Sequence, residues 1–193
     1  MRLVVGLGNP GKAYVKTRHN AGFMAIDRLA DEFGIDVRKK RFNAGFGKGV
    51  IEGQPVILAK PLTFMNNSGP PVKQLYDYHN IASKDLLIIH DDIDLEYGRI
   101  KIKEKGGHGG HNGLRSLMGS FGGGDFARIR IGIGRSVAGL EVTDHVLGGY
   151  TAGEKTVLPK ILERTRDAVI TILTDGIMDA MNQFNDKRQK IAD

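Results

Sequence analysis

Cysteine is absent from the 193 residues. Its absence excludes a disulfide scaffold, a thiolate zinc site and a cysteine nucleophile, and it points to a reducing, cytoplasmic setting. Long apolar runs are missing too. Stretches such as Leu86 to Ile89 are far shorter than the ~18 residues that cross a bilayer, so no membrane partner is expected. Met1 is followed by Arg2 and a short apolar run ending in Gly and Pro, without the h-region of a secretory signal. No linker, internal repeat or low-complexity tract divides the chain. Its length suits one domain, read as 1–193 with residues 186–193 a polar tail.

Glycine, in contrast, is plentiful: the chain has 27, about twice the ~7% of average usage. Five of the eight residues from Gly106 to Gly113 are glycine. Such clustering suggests backbone brought close to a ligand, or a mobile loop.

Hydrophobic periodicity interleaves strands and helices from end to end. Arg2 to Leu7 and Asp85 to His90 read as buried strands, and Gly47 to Glu52 with Pro55 to Lys60 as a hairpin turning at Gly53-Gln54. Arg99 to Glu104 and Ala127 to Ile133 alternate strictly, so each has one buried face. Helices are expected over Ala21 to Phe33, with Asn20 as cap and Gly34 at the C-terminus, and over Pro70 to Tyr78 and His111 to Phe121. Two more are expected over Ala152 to Thr174, regular from about Pro159, and over Ile177 to Asn185. This order predicts an α/β fold, a single three-layer α/β/α domain with a mixed, mostly parallel central sheet.

Gly6 to Gly11 (GLGNPG) matches G-x-G-x-x-G directly after a strand, which raises a dinucleotide-binding oxidoreductase. The physics argues against it. Pro10 and Gly11 delay the helix until about Asn20, so its N–H groups would not face a pyrophosphate, and Asp27 and Asp31 fall inside that helix rather than at the end of a second strand.

His19 sits in the intervening loop. A lone loop histidine is usually a surface residue, but Asp91, Asp92 and Asp94 end the strand at Leu86 to His90, where α/β sheets gather their sites. An aspartate bonded to His19 would fix its tautomer and stabilise the imidazolium formed when it takes a proton from water. Asp91 is the first choice and Asp94 the second, unless the three acids only cap a turn. Asn9, Asn66 and Asn112 fall in similarly placed loops, where amides suit recognition of a peptide or polarisation of an ester carbonyl. Phe64 and Met65 could present an apolar wall beside Asn66. The run from Gly106 to Gly113 offers backbone N–H groups and a helix start to an anion. His108 and His111, with Asp91 or Asp92, raise a divalent-metal hydrolase, although no H-E-x-x-H supports one.

The net charge is only +6, but its pattern is informative. Arg99, Lys101, Lys103 and Lys105 occupy alternate positions, with Ile100 and Ile102 pointing the other way, and Arg128 and Arg130 repeat this with Ile129 and Ile131, so adjacent strands would carry a basic stripe near the glycine run. Arg38 to Arg41 form a second cluster. A solvated face is the plain alternative to a nucleic-acid surface.

Six segments, taken together, resemble the bacterial-type peptidyl-tRNA hydrolases. They are GLGNPG at Gly6 to Gly11, Tyr14-x-x-Thr17-Arg18-His19-Asn20-Ala21-Gly22, Thr63-Phe64-Met65-Asn66-x-Ser68-Gly69, His90-Asp91-x-x-Asp94, the glycine run into His111-Asn112-Gly113-Leu114, and Phe126-x-Arg128-Ile129-Arg130-Ile131-Gly132-Ile133-Gly134. The resemblance implies hydrolysis of the ester between a peptide and the 3′ ribose of tRNA, recycling tRNA from stalled ribosomes. It implies His19 as base supported by Asp91, and Asn9 as the residue distinguishing a blocked peptidyl group from a free amino acid. Substrate contacts are implied at Tyr14, Phe64, Met65, Asn66, His111 and Asn112, and tRNA phosphate contacts at Lys101, Lys103 and Arg130. It also implies no metal or other cofactor, and a monomer in the cytoplasm. Backbone N–H groups near Asn112 would share in holding the oxyanion. Asp92 stands where glutamate is common, and Ser136 where proline is common. A non-catalytic RNA-binding protein on the same scaffold is the rival reading, against which His19, Asp91 and Asn9 speak. Residues 119–124 and 135–149 receive no role beyond possible borders of a groove.

Overall fold

The computed structural model describes residues 1–135, 141–186 and 191. Seven strands form one sheet: β1 (Arg2–Gly6), β2 (Lys39–Arg41), β3 (Ala44–Ile51), β4 (Gln54–Pro61), β5 (Leu86–Asp92), β6 (Ile100–Lys103) and β7 (Ala127–Gly132). Their order is β2-β3-β4-β1-β5-β7-β6. The four central strands β4, β1, β5 and β7 run parallel, while β2, β3 and β6 complete the edges in antiparallel fashion. The expected mixed sheet with a parallel core is therefore present.

The period-2 side-chain alternation of a strand divides each central strand between two cores. Val4, Leu87 and Ile89 face one way, into a core shared with α1 (Ala21–Phe33), α5 (Ala152–Thr174) and α6 (Ile177–Phe184) through Ile26, Leu29, Ile161, Val169 and Phe184. Leu3, Val5, Leu86 and Ile88 face the other way, against Val72 and Leu75 of α2 (Gly69–Tyr78) and Leu114 and Leu117 of α3 (Asn112–Phe121). Because both faces are covered, the parallel strands read as continuous apolar runs. Each fully buried Leu or Ile contributes roughly 1.5–3 kcal/mol.

Several local expectations shift. The hairpin turns at Glu52 and Gly53, both at positive φ, and the strand before it starts at Ala44. α5 is helical from Ala152 because Thr151 and Glu154 form a capping box, and it continues through Pro159. Asn20 makes no cap bond to α1; its side chain is engaged elsewhere. Strand β2 and the short helix α4 (Val142–Leu147) have no counterpart in the periodicity. Residues 136–140, including Ser136, lie outside the described residues, as do 187–190 and 192–193 of the expected polar tail. Within that tail, Ile191 donates its N–H to the Gly98 carbonyl at 3.1 Å and packs half-buried on the α5 side. Among the described residues, no helix is long and apolar enough to cross a membrane.

Candidate active site

The site lies beyond the carboxyl ends of β1, β4 and β5. Two glycines bring α1 hard against the strands there. A Cβ on Gly6 would stand 2.1 Å from the Gly22 carbonyl oxygen, and one on Gly22 would stand 2.4 Å from that of Ile89. Gly6 of the first motif thus serves helix-on-strand contact rather than a phosphate. A 3-10 turn at Arg18–Asn20 precedes the helix, and its three residues are buried.

In this turn His19 meets the end of β5. Its Nδ1 lies 2.9 Å from both carboxylate oxygens of Asp91, which is 1% exposed. Asp94 instead pairs with Arg135 at 2.7 Å, so Asp91 is the acid beside His19. An ionised carboxylate only accepts hydrogen bonds, hence Nδ1 carries the proton and the lone pair of Nε2 is directed away from Asp91, toward the cavity that the ring lines. Burial alone would depress the His19 pKa, but the Asp91 charge and hydrogen bond outweigh it and raise the pKa above 6.5. Burial likewise works to raise the Asp91 carboxyl, yet His19 and His111, by charge and hydrogen bond, hold it well below the usual carboxylate range.

His111 is the second donor to Asp91, its Nε2 lying 3.0 Å from Oδ1. Its Nδ1 accepts the N–H groups of Gly113 at 3.1 Å and Leu114 at 3.3 Å, capping α3. These N–H groups are therefore taken from the set expected to meet an anion or an oxyanion. The three groups His19, Asp91 and His111 also bring potential ligand atoms within 4.8 Å of one another. As bonded, however, both facing nitrogens hold protons, and His111 cannot move its proton to Nδ1 without breaking the cap. The donor chemistry fits a hydrogen-bonded chain better than a cation. His108, the other histidine of the glycine run, accepts the Gly110 N–H at 3.0 Å.

Asn9 is held on three sides. The Asn20 side chain accepts from its N–H at 2.8 Å and donates to its carbonyl at 3.0 Å, and Met65 donates its N–H to Asn9 Oδ1 at 2.7 Å. With Oδ1 occupied, the amide presents Nδ2, a pure donor, to the cavity. Asn20 is thus the residue that sets Asn9, a long-range role invisible to a rule that sees a helix cap.

The cavity has a volume of about 730 Å³. Asn9, His19, Asp91 and His111 line it, with Met65 buried in its wall and Asn66 and Asn112 exposed at its edge. Tyr14 and Phe64 meet edge-to-face at 6.3 Å on the rim, where Phe64 is 60% exposed. α4 closes the other side with Val142, Val146 and Leu147; residues 142–147 thus border the groove, as a helix that the sequence did not announce.

The basic stripe is only partly as expected. Lys101 pairs with Arg130 in register, and Lys103 with Arg128. Arg128, however, is buried and donates to the carbonyls of Gly106, Gly107 and Gly124 at 2.9, 2.9 and 3.1 Å. It fastens the base of the glycine run instead of facing solvent. Arg130 is ion-paired with Asp92, Lys103 is exposed and Lys101 half-buried.

Two further residues escaped the sequence. Arg18, buried, donates to Glu154 at 2.7 Å and to the His145 carbonyl at 3.3 Å, while its N–H meets the Gly148 carbonyl at 3.0 Å. His90 donates Nδ1–H to the Asp91 carbonyl, and its buried Nε2 has no partner among the described residues. Burial, with His111 nearby, pushes its pKa down to about 3, so it stays neutral.

Comparison with known proteins matches residues 3–192 to the peptidyl-tRNA hydrolase family. The chain is 45% identical to the peptidyl-tRNA hydrolase of Bacillus subtilis (strain 168), covering 97% of this chain and 100% of that protein. It is 47% identical to that of Geobacter sulfurreducens, covering 96% of each. The crystal structure of peptidyl-tRNA hydrolase from Acinetobacter baumannii superposes with a TM-score of 0.91 at 41% identity, over 100% of this chain and 97% of that one.

Proposed function

The chain belongs to the peptidyl-tRNA hydrolase family, and from that premise we propose that its cavity cleaves the peptide–tRNA ester with His19 as general base and Asp91 as its support. The observation carrying this reading is the 2.9 Å approach of His19 Nδ1 to both oxygens of a buried Asp91 at the cavity floor. Water held at Nε2 attacks the ester carbonyl carbon as its proton passes to His19. The imidazolium then returns the proton to the departing 3′ oxygen, giving a peptide carboxylic acid and a free tRNA 3′-hydroxyl. An ester needs less leaving-group help than an amide, so no serine or cysteine nucleophile is required.

Asn9 Nδ2 donates to a carbonyl of the peptidyl group. The ammonium of a free aminoacyl group has only donors, so it leaves Asn9 unsatisfied, which is the physical basis for preferring blocked substrates. With the N–H groups of Gly113 and Leu114 engaged by His111, stabilisation of the oxyanion is assigned to the side chains of Asn9, Asn66 and Asn112 together with the Asn112 N–H. Tyr14, Phe64 and Met65 supply the apolar wall for the peptide, and His111 borders it. Lys101, Lys103 and Arg130 hold tRNA phosphate, Arg130 being oriented by Asp92. The reaction is assigned to a monomer in the cytoplasm that needs no metal, acting on peptidyl-tRNA released from stalled ribosomes.

Release of N-blocked aminoacyl groups from tRNA, followed with and without chelator, tests this. Activity should persist in chelator and be lost in His19→Ala. Wild-type rates in that variant would sink the mechanism, and RNA binding without hydrolysis by the wild-type chain would favour a non-catalytic scaffold.

A further inference from the structure

His111 occupies an N-cap, a position ordinarily filled by Ser, Thr, Asp or Asn. Its Nδ1 receives two backbone N–H groups of α3, at 3.1 and 3.3 Å. A nitrogen accepting such bonds cannot also bear a proton, so the ring proton is confined to Nε2, 3.0 Å from Asp91 Oδ1. We propose that His111 is a positioning residue for the hydrolysis: the start of α3 fixes its tautomer, and the fixed Nε2–H shares Asp91 with His19, restraining the pull of the carboxylate on the His19 proton. This rests on the reading of His19 as base.

The physical reason lies in the charge of Asp91. A carboxylate with one donor concentrates its attraction on that donor, whereas a second donor drains part of it. His19 is buried beside that carboxylate, and its proton would otherwise be held still more tightly, leaving less neutral base at working pH. His111 thus orients Asp91 and keeps the base available. The other titratable or charged groups around the trio come from three elements. His90 on β5 has its ring 4.9 Å from that of His111 and is neutral. Arg18 adjoins His19 and is committed to Glu154. Tyr150, buried just before α5, lies within the field of Asp91, and its phenol, pushed upward chiefly by burial, stays protonated. None of these can replace the second donor, since no hydrogen bond joins them to the Asp91 carboxylate among the described residues.

The test is His111→Asn in the full chain. Asparagine places an acceptor where Nδ1 stands, so α3 keeps its cap, but it is too short to reach Asp91. The acid limb of the kcat/KM profile should move to higher pH by about half to one unit, equivalent to a change of about 3- to 10-fold in proton affinity. The loss in rate should shrink as pH rises. A limb that stays in place or moves to lower pH in the folded variant would overturn the proposal. Nitrogen-15 NMR of the histidine rings gives a second readout: the proton of His111 should reside on Nε2, and a proton on Nδ1 would also overturn it. His19→Ala separates the two readings. If that variant keeps its rate, the base assignment fails; if it is inactive while the His111→Asn limb is unmoved, the role of His111 fails alone.

Discussion

Replacing Asp91 by asparagine changes almost no volume, yet it should disable the base through a conflict of donors. His111 offers a proton that its cap prevents it from moving, so the single oxygen of the new amide must face His111 at the Oδ1 position, 3.0 Å away. The NH₂ then takes the Oδ2 position, 2.9 Å from His19 Nδ1. Nδ1 lies equally near the Oδ1 position, at 2.9 Å, so it keeps its proton only by sharing the one oxygen with His111 beside the opposing NH₂; accepting from that NH₂ instead shifts the proton to Nε2, where the lone pair was needed. Holding the working tautomer therefore sets donor against donor in a buried site, at about 1–3 kcal/mol. The imidazolium of the transition state also loses its charged partner, a further cost of about 1.5–3 kcal/mol. Together these predict a fall of about 10²- to 10⁴-fold in kcat/KM. With the carboxylate gone, burial alone acts on His19, so the residual acid limb should move below its wild-type position, which lies above 6.5. The assay is release of N-blocked aminoacyl groups from tRNA between pH 5 and 9, with circular dichroism as the folding control. Adding His111→Asn frees the amide to turn, and the double variant should lose less than the product of the two single losses. Activity within about threefold of wild type for folded Asp91→Asn, or strict multiplicativity of the two losses, would refute the reasoning.

Arg128→Met strands three backbone carbonyls beneath the glycine run, and urea unfolding should register a loss of about 2–4 kcal/mol; a change below about 0.5 kcal/mol would return Arg128 to the surface stripe. Asn9→Asp replaces the free donor by an acceptor. Turnover of N-blocked substrate should fall by about 10²-fold and the preference for it over free aminoacyl-tRNA should narrow, whereas an unchanged ratio would remove Asn9 from discrimination. Lys103→Ala should reduce the slope of log affinity for tRNA against log salt by about one, measured by filter binding, and an identical slope would show that no phosphate sits there.

What the sequence made legible follows from how local each signal was. The run Leu86 to Ile89 sits in β5, and the acids after it mark the end of that strand, so the fold class itself points to Asp91 as the neighbour of His19. Asn20 does not cap α1 as expected: a capping rule looks three residues ahead, whereas its amide brackets the backbone of Asn9, eleven residues behind. Alternation put Arg128 on the same face as Arg130. It could not register that the carbonyls of Gly124 and of Gly106 and Gly107 would close over one guanidinium and leave the other facing Asp92. Strand β2, the sequence Lys39–Arg41, carries no apolar residue because it is an exposed edge, and strand periodicity has nothing to detect there. Helix α4 is a single short stretch whose cap residue, Glu141, makes no side-chain bond, so neither length nor capping announced it.

The buried contacts of Arg18 bear on when the site comes into being. Thr17 bridges to Gly149, and Arg18 reaches residues 145, 148 and 154, more than 120 positions later in the chain. The neighbour of His19 is therefore anchored by a segment far downstream, residues 145–154. A ribosome making this protein would have released His19, Asp91 and His111 from its tunnel before residues 145–154 arrived to brace the turn that bears the base. Bracing of the turn that bears the base waits for residues 145–154. An enzyme that acts on the ester of released peptidyl-tRNA thereby has its own base braced only after a segment more than 120 positions downstream has been made.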